Sequence, residues 1–391
     1  MAAHRDVGQR VADAVADLVR IPSVNPLQSD DSAITGERRL AEHLAEHAAA
    51  IGAKVTLDNV LDGRPNLEAS FPGQHHDDVL IVDAHLDTVA VHHMSGDPFD
   101  GRIEDGKVFG RGSVDTKATF AVVMDVLAEL HRNGTRPGPT VHLVGTVSEE
   151  MGGLLGARRL ANRLGDGGLD GAVGHRARMI VAEPTSCAPV HGHKGGLGVE
   201  LCVHGHAAHS SQPELGVNAI TAAARIIAAV DAENERLAAL PTTTAVGPGT
   251  ISVTEISGGT ARNIIPDSCR LYIGRRLSPG EDPAVVQAEL TATVTRAAGP
   301  ATVDVALANG VAFPAFFTDS DNAFIGVLAD ITGEQPATVT YGSNCLAYDG
   351  IDVTKVVFGP GSIDQAHQAV EWVEISELVR AREVYATLLT M

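Results

Sequence analysis

Apolar residues recur along the first half of the chain with helical and strand periods in turn. An apolar stripe at helical spacing opens the chain and ends before Pro22, and a second helical pattern over residues 36–51 stops at Gly52. The continuous apolar run Val79–Val82, flanked by aspartates, is typical of a strand covered on both faces. Further predicted strands are 141–146 and 179–182, and further predicted helices are 116–130 and 153–164. Strands that alternate with helices in this way indicate a parallel α/β sheet.

After about Lys194 the order of the predicted elements changes. They follow as strand, helix, strand, strand, helix and strand, which is the order of a ferredoxin-like unit. The strands are 198–204, 250–256, 268–273 and 302–307, and the helices are 218–240 and 282–298. Past Gly310 the α/β pattern resumes, with a strand at 353–358 and a last helix from Ser376. We therefore expect a mostly parallel α/β domain, residues 1–193 and 309–391, interrupted by an inserted α+β domain, residues 194–308.

Charge and cysteine content bear on which partners the protein can bind and where in the cell it is expected. The chain has 29 basic and 49 acidic residues and a net charge of −20, so it repels nucleic acid and anionic membrane surfaces. Its four cysteines are widely spaced and match no zinc-finger pattern, which is typical of reduced thiols in a cytoplasmic protein. The N-terminus lacks a signal-peptide pattern, and no apolar run approaches the ~18 residues of a membrane helix.

Histidines and carboxylates fall just beyond the carboxyl ends of the predicted strands, where open α/β sheets bind their ligands. Two imidazoles and three carboxylates suit a pair of divalent ions, most often zinc. Such paired ions lie about 3.5–4 Å apart and need one bridging ligand. The five candidate ligands are His85, Asp115, Glu150, Glu183 and His367.

Taken singly, each of these motifs also has a structural interpretation. His85 and Asp87 are separated by one residue, a spacing that is common in purely structural pairs. The glycines of Gly110–Lys117 suggest a phosphate loop, but the Walker spacing is absent, so we expect them to let the backbone turn and aim Asp115 into a site. Glu149-Glu150 is compatible with a solvated turn on the surface. At a strand end, the two adjacent carboxylates repel each other unless a cation lies between them or one is protonated.

As a set, the motifs resemble the family of two-metal amidohydrolases that contains acetylornithine deacetylase, succinyl-diaminopimelate desuccinylase, aminoacylase and carboxypeptidases. The resemblance covers nearly the whole chain. It rests on His85–Val89, Gly110–Lys117, Glu149-Glu150, Glu183–Thr185, Gly205–Ser211, Asn263–Pro266 and Gly359–His367. The runs His193–Gly195 and Gly359–Gln368 look most like the acetylornithine deacetylase branch.

The resemblance implies a role for each candidate ligand. One ion would be bound by His85 and Glu183, the other by Glu150 and His367, and Asp115 would bridge both. The expected ions are zinc, with cobalt or manganese as alternatives.

The resemblance also implies roles for residues around the ions. Asp87 would hydrogen-bond His85 and fix its orientation. Glu149 would be the general base that takes a proton from the attacking water and passes it to the leaving amine. A non-proline cis peptide bond is expected between Asp115 and Thr116.

Three residues of the inserted domain complete the site that the resemblance implies. His209 matches a histidine that the family supplies from the partner subunit to stabilise the oxyanion. Asn263 and Arg276 match positions that hold the substrate carboxylate, for which a guanidinium fork is well suited. Arg275 is the rival of Arg276, and the spacing to Pro279-Gly280 favours Arg276.

Two segments depart from the acetylornithine deacetylase pattern. Residues Tyr341–Ala347 carry neither the Cys-Thr-Glu run of the deacetylases nor the Gly-Thr-Ser-Asp-like run of the desuccinylases. The usual Pro-Asp is also missing before Glu371. Because residues 341–347 face the substrate in the family, these departures indicate a relative with its own N-acyl amino acid.

The predicted function is metal-dependent hydrolysis of the amide bond of an N-acyl amino acid, most simply an N-acetyl amino acid. The alternative is a dipeptidase or glutamate-type carboxypeptidase with the same two-metal chemistry. A metal-free binding pseudoenzyme is a more remote alternative, which intact ligands and Glu149 disfavour. We expect a small substrate bearing a carboxylate, a cytoplasmic homodimer formed through the inserted domain, and no nucleic-acid or membrane partner.

Overall fold

Strands and helices alternate along the first half of the computed structural model, which describes residues 2–151, 153–169, 176–241 and 244–391. The elements before residue 194 are α1 (Ala2–Val19), α2 (Arg38–Ala50), β1 (Lys54–Leu61), β2 (Arg64–Phe71), β3 (His75–His85), β4 (Ile103–Glu104), β5 (Lys107–Phe109), α3 (Lys117–Arg132), β6 (Pro139–Thr146), α4 (Leu155–Gly165), β7 (Ala177–Val181) and β8 (Val190–His193).

Strands become longer and antiparallel in the middle of the chain, and the first pattern returns near the end. The middle elements are β9 (Gly195–His204), β10 (Ala208–His209), α5 (Ala219–Ala238), β11 (Thr250–Gly258), β12 (Ile264–Ile265), β13 (Ser268–Leu277), α6 (Pro283–Ala298), β14 (Thr302–Phe313) and β15 (Phe316–Phe317). The last elements are α7 (Ala323–Thr332), β16 (Ala337–Val339), β17 (Thr354–Val357), β18 (Trp372–Glu374) and α8 (Ile375–Thr390).

The chain divides into two units. Residues 1–191, 318–337 and 343–391 form the first, and residues 192–317 with 338–342 form the second. Residues 192–193, 309–317 and 338–342 therefore group with the second unit, whereas the sequence boundaries assigned them to the first domain.

Four parallel strands form the centre of the first unit. In spatial order these are β6, β3, β7 and β17, and their residues pair in register, for example Ile81 with both His142 and Met179. β1 and β2 extend the sheet at one edge as an antiparallel hairpin. A mostly parallel sheet was predicted and is confirmed, but this hairpin was not predicted.

Three helices of the first unit pack together over a common core. Val11 and Val15 of α1, Phe120 of α3, and Tyr385 and Leu388 of α8 are fully buried. Each such side chain contributes about 1.5–3 kcal/mol by leaving water. In the described ranges, no helix is long and apolar enough to cross a membrane.

The second unit is a four-stranded antiparallel sheet with two helices. Its spatial order is β11-β13-β9-β14, and α5 and α6 follow the first and third strands along the chain. This is the predicted ferredoxin-like arrangement. Asn218 caps α5 by accepting from the Thr221 N–H, and Asp282 caps α6 in front of Pro283.

The second unit begins and ends at adjacent strands. Gly192 and His193, at the end of β8, pair with Phe317 and Phe316 of β15 in antiparallel register. The His193 ring also lies against the Phe316 ring, with 5.1 Å between their centres.

Candidate metal centre

The parallel strands bring the predicted ligands to one edge of the sheet. His85 is the last residue of β3, Glu150 follows β6 by four residues, and Glu183 follows β7 by two. His367 lies in the segment after β17, and Asp115 precedes the first residue of α3 by two positions. Because β6, β3, β7 and β17 are neighbours with the same direction, their carboxyl ends share an edge.

The five ligands form two groups that share one carboxylate. His85, Asp115 and Glu183 offer donor atoms within 4.8 Å of one another, and so do Asp115, Glu150 and His367. The Asp115 Oδ1 atom lies 2.9 Å from His85 Nε2, and its Oδ2 atom lies 3.1 Å from His367 Nε2. Each oxygen of Asp115 therefore faces a different group, as a bridging ligand must.

Charge crowding among these groups is severe. Burial raises the pKa of Glu183 well above its usual value, and the charge of Asp115 adds to the effect; the same causes raise the pKa of Glu150. Burial opposes protonation of His85, but the hydrogen bond and charge of Asp115 raise the pKa of His85 well above its usual value. Hydrogen bonds to Asp115 and Glu150 raise the pKa of His367 to about 10.

The donor set fits a pair of divalent cations. Within the described part of the chain, no lysine or arginine forms an ion pair with Asp115, Glu150 or Glu183. The three carboxylates outnumber the two histidines that face them, and buried carboxylates with too little counter-charge are unfavourable. Imidazole and carboxylate donors together are suited to ions such as zinc. Asp115 would bind both ions, and each outer pair of ligands would bind one.

Glu149 lies beside the two groups without belonging to either. Burial raises the pKa of Glu149 to about 8, with further contributions from Glu150 and Asp87. Its charge also affects the pKa of His85 and of Glu183. A carboxylate in this position is available to exchange a proton.

Asp87 hydrogen-bonds His85, as expected, and does so through its backbone carbonyl. The His85 Nδ1 atom lies 2.7 Å from the backbone carbonyl of Asp87, while the nearest Asp87 carboxylate oxygen is 3.9 Å away. The carboxylate instead accepts from the N–H groups of Glu149 and Glu150, at 3.0 and 3.1 Å, and from Asn25 Nδ2 at 2.7 Å. The expected hydrogen bond between Asp87 and His85 is therefore present and is made by the Asp87 carbonyl, while the carboxylate binds the 149–150 backbone.

The loop that carries Asp115 is anchored by a residue that sequence reasoning did not assign. Glu371 is fully buried and accepts from the Arg111 side chain and from the N–H groups of Gly112 and Val114. The predicted cis peptide bond between Asp115 and Thr116 is confirmed. The sequence signal for Glu371 was its match to the glutamate that follows Pro-Asp in the family, although the Pro-Asp itself is missing here.

Gly112 and Lys117 explain the tight course of the same loop. Gly112 has φ +84°, and a Cβ atom there would lie 2.9 Å from the Lys117 side chain. Lys117 is fully buried and donates to the carbonyls of Leu18 and Ile21 at the end of α1. Burial lowers the pKa of Lys117 to about 7.

In the second unit, His209 and Asn263 lie together. Strand β10 pairs His209 with Ile264, and the Asn263 carbonyl accepts from the Ser210 N–H at 2.9 Å. The exposed His209 ring accepts from the Ser211 N–H through Nδ1, at 3.2 Å. In the neutral ring the proton is then on Nε2, which is left as a donor.

The two arginines of β13 differ in exposure. Arg275 is buried and bonds to Glu281 and to the Arg276 carbonyl. Arg276 is exposed, and no ion pair of its guanidinium occurs among the described residues. The guanidinium of Arg276 is therefore the one available to bind a carboxylate.

Comparison with known proteins places these observations in a family. The family model for the peptidase dimerisation domain M20 matches residues 191–302, and that for peptidase family M28 matches residues 66–170. An acetylornithine deacetylase from Myxococcus xanthus is 31% identical over 72% of this chain and 72% of that protein. A probable carboxypeptidase from Arthroderma gypseum is 30% identical over 82% of this chain and 70% of that protein.

The fold comparison agrees. An M20 family metallo-carboxypeptidase from Sulfolobus solfataricus superposes with a TM-score of 0.75 at 18% identity, covering 96% of this chain and 97% of that one. At this identity the likeness extends to the fold alone.

Proposed function

We propose that this chain, which belongs to the M20 family of metal-dependent hydrolases, cleaves the amide bond of an N-acyl amino acid, most simply an N-acetyl amino acid. One observation carries the proposal: the two oxygens of Asp115 face different histidines, with Glu149 beside both groups. The similarity to acetylornithine deacetylases supports the deacylase activity. The departures at residues 341–347 favour a substrate with a different amino acid from that of acetylornithine.

The proposed mechanism assigns a task to each residue. Two divalent cations, taken to be zinc with cobalt or manganese as alternatives, would supply a lower pKa for the attacking water and polarise the substrate carbonyl. His85 and Glu183 would hold one of them, Glu150 and His367 would hold the other, and Asp115 would contribute to both.

Proton transfer falls to Glu149. Its carboxylate takes a proton from the water as the water oxygen bonds to the carbonyl carbon. The carbon–nitrogen bond then breaks, and Glu149 delivers the proton to the leaving nitrogen. The products are the carboxylate of the acyl group and a free amino acid.

The second unit provides the proposed binding groups. The Nε2 donor of His209 would stabilise the negative charge that develops on the carbonyl oxygen, as the resemblance implies. Asn263 and Arg276 would bind the carboxylate of the substrate, and the exposed guanidinium of Arg276 supports that assignment.

The same resemblance supports a homodimer formed through the second unit, because residues 191–302 match a peptidase dimerisation domain. The partner subunit would then supply His209. Four free cysteines support a cytoplasmic location.

A dipeptidase or carboxypeptidase is the second candidate, favoured by the 30% identity to a probable carboxypeptidase. A substrate panel separates the two. The purified protein, loaded with Zn²⁺ or Co²⁺, is given N-acetyl amino acids and dipeptides, and the released amine is quantified. We expect faster release from the N-acetyl series, none after chelation, and release at least about 10²-fold slower in Glu149→Ala. Preferential release from dipeptides would replace the deacylase assignment with a peptidase.

A further inference from the structure

Four consecutive backbone N–H groups, in segment 147–150, are held by buried side chains. Asn66 Oδ1 accepts from the first at 3.1 Å, and Glu37 Oε1 accepts from the second at 3.3 Å. The two oxygens of Asp87 accept from the third and fourth. The segment that carries Glu149 is therefore fixed along its whole length by acceptors from three distant parts of the chain.

Of these acceptors, Glu37 is the one that belongs to a buried ion pair. It lies at the start of α2, is fully buried, and is gripped by Arg64, whose Nε donates to Oε2 at 2.7 Å. Arg64 is itself 9% exposed. Apolar residues of similar volume often replace a buried ion pair without loss of stability, so stability alone does not account for the pair.

The residue that Glu37 holds has an unusual backbone. Ser148 has φ +66°, in the left-handed region that side chains other than glycine rarely adopt. Such a conformation persists only where its surroundings enforce it. Without the Glu37 acceptor, Ser148 would be free to relax, and the next residue, Glu149, would turn with it.

We propose that the Glu37–Arg64 ion pair is a positioning element for the general base. Glu37 fixes the Ser148 N–H, Arg64 fixes the orientation of the Glu37 carboxylate, and Glu149 is thereby aimed at the attacking water. Among the residues that the structure describes, no hydrogen bond or ion pair joins Glu37 or Arg64 to a proposed metal ligand. The inference rests on the proposed role of Glu149.

Two double variants isolate the hydrogen bond to Ser148. Glu37→Gln/Arg64→Met and Glu37→Met/Arg64→Met both remove the charges, and Gln and Met have nearly the same shape. Only the first retains an oxygen that can accept from the Ser148 N–H. Small displacements of a catalytic group cost up to about 10²-fold. We expect kcat of the Met/Met variant to be about 10–100-fold below that of the Gln/Met variant, with KM and bound metal within twofold.

A second readout does not depend on activity. Hydrogen exchange of the Ser148 amide, followed by mass spectrometry, should be faster in the Met/Met variant than in the Gln/Met variant. The single variants Glu37→Gln and Glu37→Met repeat the comparison with Arg64 present, should a double variant fail to fold. Asp125→Asn is the matched control, since Asp125 is a buried carboxylate bonded to Arg10 and Arg382 and, among the described residues, forms no hydrogen bond with segment 147–150. It should lower stability and leave kcat unchanged.

A double-mutant cycle with Glu149→Ala decides whether Glu37 acts through the base. In the Glu149→Ala background, Glu37→Met/Arg64→Met should lower the residual rate no further. Equal kcat in the two double variants, or an undiminished loss in the Glu149→Ala background, would overturn the inference. Normal turnover of Glu149→Ala itself would instead overturn the proposed base.

Discussion

Adjacent glutamates with separate tasks provide the sharpest test of the proposed chemistry. Glu149→Ala removes a carboxylate that belongs to neither ligand group, whereas Glu150→Ala removes one that lies 3.2 Å from His367 Nε2. The backbone N–H groups of both residues are bound by Asp87 and do not depend on either side chain. The two variants should therefore leave the local backbone alike and differ only in the lost carboxylate.

Glu149→Ala should affect kcat, whereas Glu150→Ala should affect the amount of bound metal. General acid–base catalysis contributes about 10²–10⁴-fold, so Glu149→Ala should lower kcat by at least about 10²-fold, or about 2.7 kcal/mol in the barrier. Both bound metals should remain, because His85, Asp115, Glu183, Glu150 and His367 are intact. Glu150→Ala removes one of three donors from the second group and should reduce metal content itself.

Elemental analysis after gel filtration measures bound metal, and initial rates with a saturating N-acetyl amino acid measure kcat. Near-normal turnover of Glu149→Ala would refute its role as the base. Loss of metal in Glu149→Ala with retention in Glu150→Ala would mean that the two glutamates exchange roles.

Three further predictions concern other residues. His209→Ala should lower kcat by about 10²–10³-fold with little change in KM. Mixing His209→Ala protomers with Glu149→Ala protomers should restore up to about one working site per heterodimer, and no recovery would rule out action across a dimer. Arg276→Ala should raise KM at unchanged melting temperature, whereas Arg275→Ala should lower the melting temperature; equal effects on KM would refute this choice. Burial alone would raise the pKa of Asp125, but hydrogen bonds from its two arginine partners lower it, so its contribution to stability is lost as pH falls through the lowered pKa. Asp125→Asn should therefore lower the free energy of unfolding by about 1–3 kcal/mol at pH 7. Thermal unfolding of variant and wild type measures this difference, which should shrink below about pH 4; a constant difference would contradict the prediction.

The clustering of the five candidate ligands could be predicted because most of them follow the carboxyl ends of strands. Val79–Val82 and the apolar runs before Glu149 and Glu183 are strong strand signals, and parallel neighbours place their ends together. The pairing of each ligand with a particular ion came from family resemblance, and the two groups around Asp115 are consistent with it.

Other features could not be inferred from local pattern. The β1–β2 hairpin has a largely exposed outer strand, Lys54–Leu61, so its apolar signal is weak. The contacts of Asp87 depend on whether its carbonyl or its carboxylate faces His85, which spacing cannot distinguish. Glu37 and Glu371 act on backbone groups 111 and 259 positions away, so nothing near them in the chain points to the site.

The pairing of β8 with β15 bears on how a two-unit enzyme of this kind could arise. Because Gly192 and Phe317 are partners in one ladder, the inserted unit leaves its host at nearly the point where it began. Neighbouring Cα atoms across an antiparallel ladder are about 4.5–5.5 Å apart, a gap that a tight turn closes. A hairpin at this point of an ancestral single-unit hydrolase could thus have accepted the insertion of a whole domain. The inserted domain could likewise be exchanged for one of different specificity without changes to the sheet.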